Sequence, residues 1–266
     1  MSTEALIFDV DGTMADTEEA HRMAFNGAFE HFRLGWNWSP AEYRELLKVT
    51  GGKERIADHI ETLAVGLPER RRLQASIPDI HAEKTRRYSA VVAHGEVPLR
   101  SGVLRLMEEA LAAGCRLAIA STTTAINVDA LLQATLGPRG LDMFTVIACG
   151  DQVRAKKPAP DIYLLALHEL GLDAEHAVAF EDSPNGLRSA LIAGLWTVVT
   201  PSFWTEGHPF VGAGLLLPSL GDPDRPLRGE PGDRLGSAAW LTFDELERKA
   251  RPRNAGLAQE RLERRA

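Results

Sequence analysis

Residues 5–13 read ALIFDVDGT. The apolar run from Ala5 to Phe8 passes straight into Asp9 and Asp11, and a short apolar run bounded by a turn signal reads as a buried strand. At i and i+2 of an extended chain both carboxylates reach one side. Unpaired, they would repel until one held its proton. A divalent cation in an all-oxygen shell resolves that conflict, and Gly12 permits the turn that must follow. Taken alone, the same stretch also fits a surface turn with two solvated acids.

Working outward, apolar runs recur at 115–120, 145–148, 177–180 and 197–199. Segments of helical period lie between them at 103–113, 162–170 and 187–193, closed by Gly114, Gly171 and Gly194. Strands alternating with glycine-closed helices predict an α/β fold: a doubly wound, Rossmann-like parallel sheet covered on both faces. Strand ends facing one way then share a crevice. The alternation breaks from 17 to 94, where the patterns are all helical: 17–32, 40–48, 53–63, 68–75 and 78–92, with Pro78 separating the last two. The expected organisation is a core domain of residues 1–16 and 95–220, an inserted all-helical cap of 17–94, and a C-terminal extension of 221–266. Residues 214–220 read as one more strand and 221–236 as a loop. A helix over 242–250 opens with Thr242 three residues before Glu245, and Trp240, Leu241, Phe243 and Leu246 are available to pack on the core.

The 266 residues are 44% hydrophobic and 25% charged, enough to bury a core without staples. No run approaches the roughly 20 apolar residues of a membrane span, and no basic segment leads into an apolar one at the N-terminus. A cytoplasmic protein without a membrane partner is expected. Cys115 and Cys149 each lie beside an apolar run and read as small core residues. A formal charge of −7 argues against nucleic acid as a partner, although residues 248–266 carry seven Lys/Arg against two Glu.

Three more stations stand at strand ends. Ser121-Thr122-Thr123 offers a hydroxyl and turn amides before a helix N-terminus, suited to a phosphoryl oxygen or to ordinary capping. Lys157, after Lys156 and before Pro158, is a cation on a stiff segment, or a solvated loop lysine. Glu181-Asp182 closes another apolar run, where Asp182 can complete the metal shell begun at Asp9 or cap the next helix. Each signal is weak, but their convergence on one crevice is not.

In order and spacing these stations resemble the four motifs of the haloacid dehalogenase superfamily of phosphotransferases, over residues 4–220, with the helical insert similar to its type I cap. Thr17-Glu18-Glu19-Ala20-His21-Arg22, Tyr43, residues 50–56 (TGGKERI) and residues 80–85 (IHAEKT) look like the CbbY-type sugar phosphatases, which act on xylulose-1,5-bisphosphate. Asp16 departs mildly, standing where that group often has Glu. The resemblance implies that Asp9 is the nucleophile and Asp11 the general acid and base. Mg²⁺ would be held by Asp9, the Asp11 carbonyl and Asp182, with Glu181 close by. Ser121, Thr122 and Lys157 would hold the transferring phosphoryl group. Glu18, His21, Tyr43, Lys53, Arg55 and Lys84 would read the sugar and its far phosphate. The expected protein is a monomeric Mg²⁺-dependent phosphatase of a phosphorylated sugar. A β-phosphoglucomutase-like mutase and a non-catalytic phosphosugar-binding regulator are the competing readings.

Overall fold

The structure, a computed structural model, describes residues 2–227, 235 and 239–250. Its centre is β1 (Ala5–Phe8), buried on both faces and paired in parallel on both sides. One neighbour is β2 (Arg116–Ala120), followed outward by β3 (Val146–Ala148); the other is β4 (Ala177–Glu181), followed by β5 (Trp196–Val199) and β6 (Leu215–Leu216). The order β3-β2-β1-β4-β5-β6 reverses direction at β1, so the crevice outside the carboxyl ends of β1, β2 and β4 is the topological switch point.

The two sheet faces differ in bulk. Leu6, Phe8, Leu117, Ile119, Val178 and Phe180 point into one cluster, where Phe8 and Phe180 stack at 4.4 Å. The opposite face of β1, β2 and β4 is mainly alanine and packs against α8 (Asp161–Leu170) and α9 (Pro184–Ile192). α6 (Val103–Ala112) and α7 (Ala125–Leu136) cover the bulky face. The sequence pattern marked only a helix start for α7. α9 begins at Pro184, earlier than the apolar spacing indicates, because the Ser183 hydroxyl accepts from the Gly186 amide and proline suits the first helical position. The strand expected over 214–220 shrinks to Leu215–Leu216, since Pro218 has no amide to extend an edge ladder.

Between β1 and α6 run α1 (Glu18–His31), α2 (Pro40–Leu46), α3 (Gly52–Thr62), α4 (Leu67–Ala75) and α5 (Ile77–Ala93). They enclose their own cluster of Phe25, Phe29, Trp38, Tyr43, Ile56 and Ile60. Ser39 and Glu42 form the capping box that starts α2. Beyond the sheet, Leu241, Phe243 and Leu246 join the core as expected, while Trp240 is half-buried. Residues 243–250 form α10, whose Glu245 amide donates to Thr242 Oγ1 at 3.2 Å. The Gly102 amide and the Ser101 hydroxyl both donate to Asp222, and the Phe243 amide donates to Glu109, which fastens this segment to α6. Most of the basic run, 251–266, lies outside the described residues. No described helix is long and apolar enough to cross a membrane.

Candidate active site

Asp9 continues the β1 ladder, its amide donating to Phe180 O at 3.0 Å, which delivers its carboxylate to the end of β4. There Asp9, Glu181 and Asp182 bring carboxylate oxygens within 4.8 Å of one another, all buried. Gly12 makes this approach possible: its φ is +82°, and a Cβ built on it would lie 2.2 Å from Asp182 Oδ2. The ammonium of Lys157 donates to Asp9 Oδ1 and Glu181 Oε1, each at 2.6 Å, and the Tyr163 hydroxyl donates to the same Glu181 oxygen at 2.5 Å. Burial opposes charge on Lys157, but Asp9 and Glu181 outweigh it and its pKa is raised. Burial pushes Asp9 up to about 7 despite Lys157. It also lifts Asp182 well above the carboxylate range, reinforced by Asp9 and Glu181.

One ammonium against three carboxylates leaves this cluster short of positive charge. Glu181 Oε2 is buried without a hydrogen-bond partner, and all the donors are oxygens. A small divalent cation such as Mg²⁺ fits both facts, because hard cations select carboxylate and carbonyl oxygen and a buried charge requires compensation.

Asp11 stands apart from this cluster. Thr17 Oγ1 donates to its Oδ1 at 2.5 Å, and His21 Nε2 lies 2.9 Å from the same oxygen. Lys84 Nζ is 2.7 Å from His21 Nδ1. An ammonium has no acceptor lone pair. Nδ1 must therefore accept, which leaves Nε2–H to donate to Asp11 in the neutral ring. Burial, then the Lys84 charge, hold the His21 pKa down, in keeping with that tautomer. Burial would raise Asp11, but His21, the Thr17 hydroxyl and Lys84 bring it down to about 2. Burial also pushes Lys84 down to about 8. Tyr88 stacks on the His21 ring at 4.0 Å, fixing its plane.

Of the residues singled out in the sequence, Asp9, Asp11, Glu18, His21, Lys53, Arg55, Lys84, Thr122, Lys157 and Asp182 line one cleft. Ser121, Tyr43 and Glu181 lie behind its wall. Ser121 is buried, with its hydroxyl accepting from the Thr123 amide at 3.3 Å. Tyr43 is fully buried and donates to Glu18 Oε2 at 2.8 Å, so it holds Glu18 from behind. Arg55 lines the cleft, but its donors go to Leu46 O, Val49 O and Tyr43 OH. It is a buried strut of the insert more than a free cation. Lys53 is half-exposed, 3.5 Å from Asp151.

Sequence reasoning missed Asn185, His81, Asp151, Lys156 and the pair Trp204 and Thr205 on this wall. Asn185 lies three positions past Asp182 and Lys156 adjoins Lys157, so proximity to a motif was a usable signal for both. Asn185 Nδ2 donates to Lys48 O at 3.0 Å and Thr50 Oγ1 at 3.1 Å, joining the start of α9 to the loop before α3. Burial, with Lys84 and Lys53, pushes His81 down to about 3, so its ring is neutral. After β5, Ser202 Oγ and Thr205 Oγ1 donate to Asp182 Oδ2 at 2.8 and 3.2 Å. The Arg100 guanidinium ties this loop to the first turn through Gly12 O, Thr200 O and Pro201 O.

The profile of the haloacid dehalogenase-like hydrolases matches residues 3–194. Protein CbbY of Rhodobacter capsulatus is 52% identical over 220 residues, covering 83% of this chain and 95% of that protein. A CbbY protein of Cupriavidus necator is 49% identical over 84% of this chain and 88% of its own length. A crystal structure of mutant CbbY from Rhodobacter sphaeroides in complex with xylulose-1,5-bisphosphate superposes with a TM-score of 0.76 at 50% identity, covering 82% of this chain and 94% of that one. The carboxylate cluster at the switch point, the helical insert after β1 and these similarities agree: the chain belongs to the haloacid dehalogenase-like hydrolases, in their CbbY branch.

Proposed function

We propose that this protein is a Mg²⁺-dependent phosphatase that removes one phosphate from xylulose-1,5-bisphosphate through an aspartyl-phosphate. The carrying observation is the opposite treatment of two aspartates one residue apart. Asp9 sits with Lys157 in the carboxylate cluster, while Asp11 is held away from it by Thr17 and His21. Two carboxyls in different environments are how one site divides nucleophile from acid.

In this reading an Asp9 oxygen bonds to phosphorus as the ester oxygen departs, and Asp11 gives that oxygen a proton. Both hydrogen bonds to Asp11 fall on Oδ1, which leaves Oδ2 for the transfer. A phosphate dianion beside Asp11 raises its pKa and lets it hold the proton it must donate. Asp11 then takes a proton from water, whose oxygen displaces Asp9 from phosphorus. Lys157 holds Asp9 in line and faces the transferring oxygens, with Thr122 and the turn after β2 beside them. Bound Mg²⁺, held by Asp9, the Asp11 carbonyl, Asp182 and Glu181, would neutralise charge on the phosphoryl oxygens.

Residues 17–94 act as the cap and 1–16 with 95–220 as the core. Glu18, positioned by Tyr43, and His21 contact the sugar; Lys53 and Lys84 supply charge for the phosphate that does not react. The bisphosphate found in the CbbY crystal structure supports this choice of substrate.

The test is a phosphate-release screen with Mg²⁺ across pentulose and hexose mono- and bisphosphates, with Asp9→Asn as the control. Xylulose-1,5-bisphosphate should give the highest kcat/KM and the mutant no turnover. A preferred monophosphate would overturn the substrate, and an active Asp9→Asn the nucleophile. Conversion of glucose-1-phosphate with a bisphosphate activator would favour the mutase.

A further inference from the structure

We propose that residues 202–205 are a positioning segment that couples seating of the helical insert to the presentation of Asp182, so that loosening Trp204 weakens metal binding without touching the metal. The inference rests on Mg²⁺ as the cation of the proposed function.

Two opposite commitments meet in this one short turn. On one side, Ser202 Oγ and Thr205 Oγ1 both donate to Asp182 Oδ2, leaving Oδ1 as the oxygen without a donor from this loop. The turn is closed on itself: the Ser202 amide donates to Thr205 Oγ1 at 2.9 Å, and the two hydroxyls are 3.2 Å apart. Ser202, Thr205 and Asp182 are all buried. On the other side, Trp204 leaves the sheet domain and enters the aromatic cluster of the insert. Its ring meets Tyr43 edge-on at 5.4 Å, and Tyr43 in turn holds Glu18. Arg44 of α2 donates to Phe203 O at 2.8 Å and covers the Phe203 ring at 4.9 Å.

The indole and the hydroxyls are at most two positions apart in one hydrogen-bonded turn, and its base is pinned by Arg100 on Thr200 O and Pro201 O. Rotation that unseats Trp204 from the insert therefore moves both donors relative to Asp182. Groups that orient a metal ligand typically change affinity by about 10–100-fold when removed.

The experiment is calorimetric titration of Mg²⁺ alone into the metal-stripped full-length protein, for the parent, Ser202→Ala, Trp204→Leu, Trp204→Phe and the double variant Ser202→Ala/Trp204→Leu, each with a thermal melt. Ser202→Ala should weaken Mg²⁺ binding about tenfold. Trp204→Leu should weaken it severalfold, and Trp204→Phe should recover most of the loss. The double variant should lose less than the product of the two single effects, since coupled sites are non-additive. Arg44→Ala, altered on the surface side of the same contact, provides a folded variant if Trp204→Leu does not fold, and should shift Mg²⁺ affinity in the same direction. Parent-like Mg²⁺ affinity in folded Trp204→Leu or, failing that, in Arg44→Ala, or strict multiplicativity, overturns the coupling and leaves the phosphatase reading intact. A parent that binds no Mg²⁺ overturns both.

Discussion

Replacing Lys157 with Met removes the single ammonium from the carboxylate cluster while keeping much of its volume. Two charge-assisted bonds of 2.6 Å vanish, to Asp9 and to Glu181. Breaking one side of a buried ion pair costs about 3–5 kcal/mol, because the partner charge is left uncompensated. At pH 8, with metal removed by chelation, a loss of about 4 kcal/mol and a slope of about 3 kcal/mol per M of urea lower the unfolding midpoint by about 1.3 M. The deficit should depend on pH. In the parent, Asp9 titrates at about 7 in the folded state, far above its unfolded value. A carboxyl raised in this way weakens the fold in full above its folded pKa, and the penalty is relieved progressively as pH falls from that value toward the unfolded one. Without the ammonium Asp9 rises further and is protonated in the folded mutant already at pH 8. Going from pH 8 to pH 5.5 therefore relieves the mutant through about one more unit than the parent, about 1.4 kcal/mol. The midpoint gap should close to about 0.9 M. A protonated Asp9 is no nucleophile, so kcat should drop by at least about 10²–10³ as well. An equal midpoint gap at both pH values would refute the assignment of Lys157 as the counterion of Asp9.

Three further tests address other parts of the site. Lys84 loses its proton above about pH 8, so kcat/KM should fall there, and Lys84→Met should remove that alkaline limb while lowering kcat/KM about 10–10²-fold, the worth of a charge-assisted hydrogen bond to phosphate; a pH–rate profile of both proteins decides it. Gly186→Ala places a Cβ 1.8 Å from Glu181 Oε2, and overpacking of this kind should cost about 2 kcal/mol, seen as a lower melting temperature. Arg55→Gln should likewise destabilise by about 2 kcal/mol through its orphaned carbonyls, with a modest change in KM; an unchanged melting temperature with a tenfold higher KM for a bisphosphate would return Arg55 to phosphate reading.

The sheet was legible because its strands are short apolar runs between glycine-closed helices, and because Asp9, Ser121 and Glu181 mark the ends of β1, β2 and β4. Lys157, expected at a strand end, lies nine positions past β3 and reaches Asp9 from the loop before α8. What escaped depended on contacts between distant segments. Tyr43 carries a polar tip that suggests a wall residue, yet its ring is required by the Phe25 and Trp38 cluster and its hydroxyl serves Glu18. Arg55 offers a charge in the sequence, but loop carbonyls that only the folded insert brings together occupy it. Trp204 lies in an irregular stretch without periodicity, and nothing local announces that its ring crosses to the insert.

The position of β1 also governs how the molecule can be made. Ala5 pairs with Arg116 on one side and with Ala177 on the other. Among the described strands β1 therefore waits longest between its own synthesis and that of its partners. At about 5–20 residues per second, some 5–20 seconds of synthesis separate Ala5 from its first partner. During that interval ALIF is an unpaired apolar strand, and the helices of the insert can form first on local contacts while it waits. Asp9 gains Lys157 and Asp182 later still, so no carboxylate cluster exists on a nascent chain short of β4. Proteins halted during synthesis before that point should expose a sticky strand and bind no cation, which makes β1 the segment where a chaperone would be needed most.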